Sequence, residues 1–310
     1  MRLVILTGTG PEHRYVAAAL AAAFPQDLQA IVLAEPPPKS LWAQASSYAR
    51  RYTVRQLGSR VYAKLYSRLM RHAARRARTL SRMLFPAGDG GSLPRPDLVR
   101  TVPFYNSGKG LQLLQSLAPD VIAVYGTNVI KASVMALPRL GILNMHTGIS
   151  PYYRGCDCYF WPLYNRELHM LGATVHECVR EIDGGRIFAT TGIELQPDDD
   201  LFMVFARCIS AGADLYVKKV RELADHDLSG TTQDLSIGTE YKAHQKGFLA
   251  EWKVRRAIQG GLVRQFVGTP VAIPRDSVRP LHPVKQEGPS AGMKSENSVR
   301  VDVPSGAHKK

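Results

Sequence analysis

The chain has 310 residues, with 40 Lys plus Arg against 26 Asp plus Glu and a formal charge of +14. That length accommodates one or two domains, and 45% hydrophobic residues suffice for a buried core, which excludes collagen-like, wholly disordered and disulfide-knot chains. Four cysteines point to a reducing compartment, and no apolar run approaches the roughly 20 residues that span a bilayer.

The start, Met1-Arg2 followed by Leu3-Val4-Ile5-Leu6, is too short for a signal-peptide core, so a cytoplasmic protein is expected. Arg2–Thr7 reads as a buried strand and Pro11–Phe24 as an alanine-rich helix with proline in its first turn. Gln29–Leu33 is a second strand, closed by Pro36-Pro37-Pro38. After a basic segment come a strand at Leu98–Val102, a helix from Ser107 to Leu117 and a strand at Val121–Tyr125. A helix over Ile130–Leu137, a strand at Gly141–His146 and an irregular stretch to Gly155 follow. Strands at Ala173–Cys178 and Arg186–Ile193 precede a long helix, Leu201–Leu223. Strands alternating with helices predict a mainly parallel sheet. Residues 1–235 form the expected catalytic domain and 236–268 a C-terminal extension; 269–310, rich in Pro, Ser, Gly and charge, reads as a disordered tail.

The basic excess is local. Residues 40–88 hold 11 Lys and Arg and no Asp or Glu. Leu57, Val61, Leu65, Leu69, Ala73, Ala77 and Leu80 recur every three or four positions, beside a stripe that includes Arg60, Lys64, Arg68, Arg71, Arg75, Arg78 and Arg82. This predicts a basic helical insertion, or two helices broken near Gly58, docked by its apolar stripe with the basic face solvated. Contact of residues 50–82 with an anionic membrane surface is the sharper alternative. Nucleic acid is disfavoured, because the aromatic-interleaved and zinc-ligand patterns of its binding modules are missing.

Gly8-Thr9-Gly10 stands between strand and helix, yet the third glycine of a dinucleotide fingerprint is replaced by His13. Cys156, Cys158, His176 and Cys178 have poor spacing for zinc and read as core residues, so no metal is expected. His13, His72, His169 and His244 read as isolated surface or capping residues. Asn144 and His146 differ: two apart on one strand, they project to one face at its carboxyl end, where open α/β sheets bind ligands. An amide beside an imidazole can stabilise an oxyanion and move a proton.

Asn144-Met145-His146, the loop Ile149-Ser150-Pro151-Tyr152-Tyr153-Arg154-Gly155, Trp161, Gly172-Ala173-Thr174-Val175-His176 and Ile182-Asp183-Gly184-Gly185-Arg186-Ile187 recur in one order. Together they resemble the formyltransferases that use 10-formyltetrahydrofolate, clearly from Pro119 to Pro197 and more faintly back to Met1. The resemblance implies a Rossmann-like α/β fold and a catalytic trio of Asn144, His146 and Asp183. It implies that Tyr125, Gly126, Thr127, Ser150, Arg154, Gly155, Arg180, Glu181 and Ile182 surround the folate, with no metal needed.

Three departures stand out. The family's D-T-G reads Asp183-Gly184-Gly185, its Ser-Leu-Leu reads Gly148-Ile149-Ser150, and Gly10-Pro11-Glu12 replaces the small polar residues that hold a ribose phosphate in the purine-pathway member. Pro11 lacks an N–H and Glu12 is anionic, which disfavours glycinamide ribonucleotide. Methionyl-tRNA as acceptor calls for a further C-terminal barrel, and a formyl-folate hydrolase for a preceding domain; neither is expected here. The resemblance therefore implies a small amine acceptor, foremost an amino sugar, often nucleotide-linked, and leaves a homodimer open.

Overall fold

The computed structural model describes residues 1–37, 40, 58, 68, 71–88, 91–269 and 278–279, all within the unit Met1–Pro280. Most of 41–70, where the first half of the predicted basic insertion falls, and the predicted tail beyond 279 lie outside the described residues.

Strand β1 (Leu3–Thr7) leads into helix α1 (Pro11–Ala23), β2 (Leu28–Ala34), helix α2 (His72–Leu84), β3 (Val99–Val102) and helix α3 (Gly108–Leu117). Then come β4 (Val121–Val124), the short helix α4 (Ala132–Met135), β5 (Gly141–His146), β6 (Tyr153–Gly155) and helix α5 (Trp161–Asn165). β7 (Gly172–Glu177), β8 (Ile187–Gly192), helix α6 (Leu201–Ala224), β9 (Thr232–Gln233), β10 (Thr239–Tyr241), helix α7 (Phe248–Gln259) and β11 (Val278–Arg279) complete the chain. The helix predicted over 130–137 is confined to the single turn of α4, and the irregular stretch before Gly155 contains β6.

Seven strands form one sheet in the order β3-β2-β1-β4-β5-β7-β8. The first five are parallel, and β7 pairs antiparallel with both β5 and β8. The chain winds outward from β1 in one direction through β2 and β3, and in the other through β4 and β5. The carboxyl ends of β1 and β4 therefore flank the point where the winding reverses, the usual ligand crevice of such sheets.

Alternation along each strand divides the core between the two faces of the sheet. Leu3, Ile5, Val121, Ala123, Leu143 and Met145 pack with α1 and α6, whereas Val4, Leu6, Ala30, Val32, Ile122 and Val124 pack with Leu114 of α3. Helix α6 is capped by Asp200, whose carboxylate accepts from the N–H groups of Phe202 and Met203. From α6 the fully buried Tyr216 donates to the carbonyls of Leu143 (2.7 Å) and Val124 (3.1 Å), fixing β4 against β5 one residue before Asn144.

Helix α2 docks on α1 and α6 through Leu80 and Leu84, while Arg71, Arg78 and Arg82 face solvent, as expected for a docked basic helix. Ala73, expected on the apolar stripe, is instead exposed, because it borders a cavity. The predicted C-terminal extension is built into the structure. β10 pairs with β6, and Tyr241 stacks on Trp161 (4.4 Å between centroids) and Tyr153 (5.7 Å). Among the described residues no helix is long and apolar enough to cross a membrane.

Candidate active site

Asn144 and His146 end β5, and the register Asn144↔His176 sets the histidine of β7 directly beside the amide. Asp183 reaches both from the turn between β7 and β8. Its Oδ2 accepts from the Gly155 N–H (2.8 Å) and lies 3.3 Å from Nδ1 of His146. Its Oδ1 accepts from the Asn144 amide (3.3 Å) and lies 3.3 Å from Nε2 of His176. The turn that makes this possible is tight. Asp183 has φ +48°, a left-handed conformation that Asp tolerates better than most residues. A Cβ at Gly185 would lie 2.1 Å from the carbonyl oxygen of Glu177. From β9, the buried Gln233 donates its amide N–H groups to the carbonyls of Asp183 and Gly185 and holds the turn in place.

Charge decides what the cluster can do. Burial raises the carboxyl of Asp183, but His146, His176 and the Gly155 N–H outweigh it and hold the group ionised, well below the usual carboxylate range. Burial pushes the His146 imidazole below its ordinary value against the pull of Asp183, with His176 adding to the depression. Near neutral pH it therefore carries one proton. Its two nitrogens face two acceptors, the Asp183 carboxylate and, 3.0 Å from Nε2, the Tyr153 carbonyl. An imidazole so placed can take up a second proton transiently, with the carboxylate of Asp183 beside the charge. His176 has Nδ1 2.8 Å from the Glu177 carbonyl, and its Nε2 lies 3.1 Å from the Asn144 amide nitrogen. Nε2 of His176 thus stands against both the Asn144 amide and Oδ1 of Asp183.

Gly148 explains one departure in the motif. A Cβ there would stand 2.7 Å from Nε2 of His146 and 2.6 Å from Cβ of Cys158. The remaining expected residues divide by location. Tyr125, Gly126 and Thr127 continue from Val124, whose register partner is Asn144, so they adjoin the cluster. Arg180, Glu181 and Ile182 are exposed on the approach to Asp183. Gly155 contributes its N–H to Asp183. Ser150 is buried, precedes a cis proline and donates its N–H to Thr174. Arg154 is committed to the carbonyls of Pro151 and Leu235, so it braces the loop.

Beside the cluster opens a cavity of about 660 Å³ at the reversal point of the sheet. Glu12 and His13 after β1, Tyr125 and Gly126 after β4, and Thr147 after β5 line it. Helices α2, α6 and α7 complete the wall. Three of its cations face acids: Arg76 pairs with Glu12 (2.7 Å), Arg75 with Asp200 (2.8 Å) and Lys246 with Asp157 (2.9 Å), while His72, its imidazole lowered by burial, lies 3.7 Å from Glu251. His13 is far from isolated. Its Nδ1 accepts from the Gly8 N–H (3.2 Å), its ring packs 5.2 Å from Tyr125, and a Cβ at Gly126 would strike it.

Three participants were not expected as such: His176, Gln233 and the Glu12–Arg76 pair. His176 ends the Gly172–His176 segment, and antiparallel pairing of that segment with β5 was the signal that would have placed it. Among the described residues no cluster of metal-ligating side chains occurs; Cys158 and Cys208 are buried thiols.

The sheet is that of a Rossmann-like α/β protein, with a buried carboxylate–imidazole–amide cluster at a strand end. Residues 107–220 match the model of a family described as formyl transferase. It is 32% identical over 136 residues to a methionyl-tRNA formyltransferase of Thermotoga sp. (strain RQ2), covering 43% of each chain. It is 27% identical over 169 residues to the bifunctional polymyxin resistance protein ArnA of Wigglesworthia glossinidia brevipalpis, covering 52% of this chain and 26% of that protein. The chain thus spans less than half the length of these curated relatives. A sugar N-formyltransferase from Shewanella sp. FDAARGOS_354 shares the fold with a TM-score of 0.51 and 11% identity, over 82% of this chain and 86% of that one.

Proposed function

We propose that the chain is an N-formyltransferase that passes a formyl group from 10-formyltetrahydrofolate to the primary amine of an amino sugar, foremost a nucleotide-linked one. The single observation that carries this reading is the Asp183 carboxylate joining Asn144, His146 and His176 beside a cavity of small-molecule size.

The folate is a co-substrate that supplies the activated formyl group. Val129 and Ile182, exposed apolar residues on the two neighbouring loops, suit a flat heteroaromatic ring. As the amine adds, charge grows on the formyl oxygen and the amine must lose a proton, while the departing folate nitrogen must gain one. Asn144 can turn its amide N–H from the 3.3 Å contact with Asp183 toward that oxygen. His146, between two acceptors, takes the amine's proton and returns one to the leaving nitrogen. Asp183 stays ionised and steadies the imidazolium.

The cavity supports a sugar. Four carboxylates, Glu12, Asp157, Asp200 and Glu251, line it near Tyr159 and Phe205, a setting suited to a hydroxylated ring and poorly suited to an apolar methionyl side chain. Methionyl-tRNA is the second reading, favoured by the name of the Thermotoga relative.

The test is incubation of the purified chain with 10-formyltetrahydrofolate and, separately, nucleotide-linked 3- and 4-amino sugars, glycinamide ribonucleotide and methionyl-tRNA. Mass spectrometry reads the gain of one formyl group. Formylation of an amino sugar supports the reading, and exclusive formylation of methionyl-tRNA replaces it.

A further inference from the structure

A second concavity lies outside the active site. It is a groove of about 280 Å³ between the end of α5 and helix α7. Arg166, Lys253 and Arg256 line it, and no carboxylate does. Among the described residues Arg166 and Arg256 form no ion pair, whereas Lys253 sits 4.0 Å above the ring of Tyr164. This contrasts with the active-site cavity, where Arg75, Arg76 and Lys246 each face an acid.

Beside these cations α7 displays large apolar side chains to solvent. Leu249 is 75% exposed and Trp252 49% exposed, one turn apart on the outer face. Val254, on the inner face, is 1% exposed and supports the active-site cavity, so the helix has a buried side and a wet apolar side. The tryptophan and leucine followed by Lys253 and Arg256 give the order of an interfacial helix: apolar groups for the acyl boundary, cations for headgroup phosphates.

We propose that the outer face of α7 docks on an anionic membrane surface, with Leu249 and Trp252 entering the interface and Arg166, Lys253 and Arg256 facing lipid phosphates. This surface is distinct from residues 50–82, for which lipid contact was the alternative to a solvated face. Charge complementarity argues for lipid: three cations meet no acid in the groove. The exposed leucine favours lipid over nucleic acid, since an aliphatic side chain gains burial in acyl chains and stacks poorly on a base. Docking requires neither the folate nor an acceptor, so it stands apart from the proposed activity.

Sedimentation of the full chain with vesicles of equimolar phosphatidylglycerol and phosphatidylcholine, against phosphatidylcholine alone, tests the proposal. Binding is expected only with phosphatidylglycerol, with a blue shift of tryptophan emission that Trp252→Phe abolishes. Arg166→Gln with Arg256→Gln should weaken partitioning roughly thirty-fold, the effect of two cations near the surface. Both arginines are on the surface, and unchanged circular dichroism confirms that the variants fold. Failure of the wild type to sediment with anionic vesicles overturns the proposal. So does binding that survives the α7 variants but is lost on Arg60→Gln with Lys64→Gln, which returns the contact to the earlier segment. Retention of an RNA oligonucleotide without vesicle binding overturns it in favour of nucleic acid.

Discussion

Nδ1 of His146 lies 3.3 Å from Oδ2 of Asp183, joining the end of a central strand to a turn that the chain reaches only after two further strands of pairing. Both groups have shifted pKa values, and the shifts act on stability in one direction. His146 titrates below its unfolded value, so it favours the native state above about pH 6.5 and withdraws that contribution as pH falls and the unfolded chain takes up the proton. His13, also depressed by burial, behaves alike. Asp183 contributes above its unfolded value near 4 and loses that contribution at lower pH. The melting temperature should therefore fall between about pH 7.5 and about pH 5.5 because of the histidines. In His13→Gln the fall should be shallower; an identical slope in calorimetry would refute the assignment.

Gly148 should resist substitution. Alanine at 148 must displace His146, Cys158 or the Tyr153 carbonyl, whose oxygen would be 2.9 Å away. Over-packing of this kind costs about 1–3 kcal/mol. The variant should melt lower and turn over more slowly, whereas Gly91→Ala, with nothing within 4 Å, should match the wild type. Equal behaviour of the two variants would show that His146 is not confined as described.

The Glu12–Arg76 pair makes a coupling prediction. Glu12 has a side chain only 7% exposed, with Oε1 on Arg76 and Oε2 without a partner. Arg76→Gln strands that carboxylate and should cost about 1–3 kcal/mol in urea unfolding. Combining it with Glu12→Gln should recover part of the loss. Simple additivity of the two substitutions would mean that the pair is not coupled.

Much of this was legible in the sequence. Short apolar runs marked the strands, and Gly141–His146 coincides with β5 residue for residue. Asn144, His146 and Asp183 could be singled out because spacing and motif order survive in one dimension, and the structure brings the three together. What did not survive is lateral pairing. His176 joins the site only through antiparallel register with β5, and Gln233 only through a turn fifty residues earlier. The sequence also does not tell that the buried Arg154 guanidinium donates to the carbonyls of Pro151 and Leu235. Charge counting also cannot tell that Arg75 and Arg76 pair with acids, Arg76 partly buried, while Arg71 and Arg78 remain in water.

The central claim is that formyl transfer is run by His146 and Asp183, and single-turnover kinetics with an amino-sugar acceptor tests it most directly. Wild type, His146→Ala and Asp183→Asn are compared, with tetrahydrofolate binding measured in parallel. The account predicts formylated product from the wild type and a rate lower by roughly 10²–10⁴ in each variant, with folate still bound. A folded Asp183→Asn or His146→Ala protein that transfers the formyl group at the wild-type rate would contradict it.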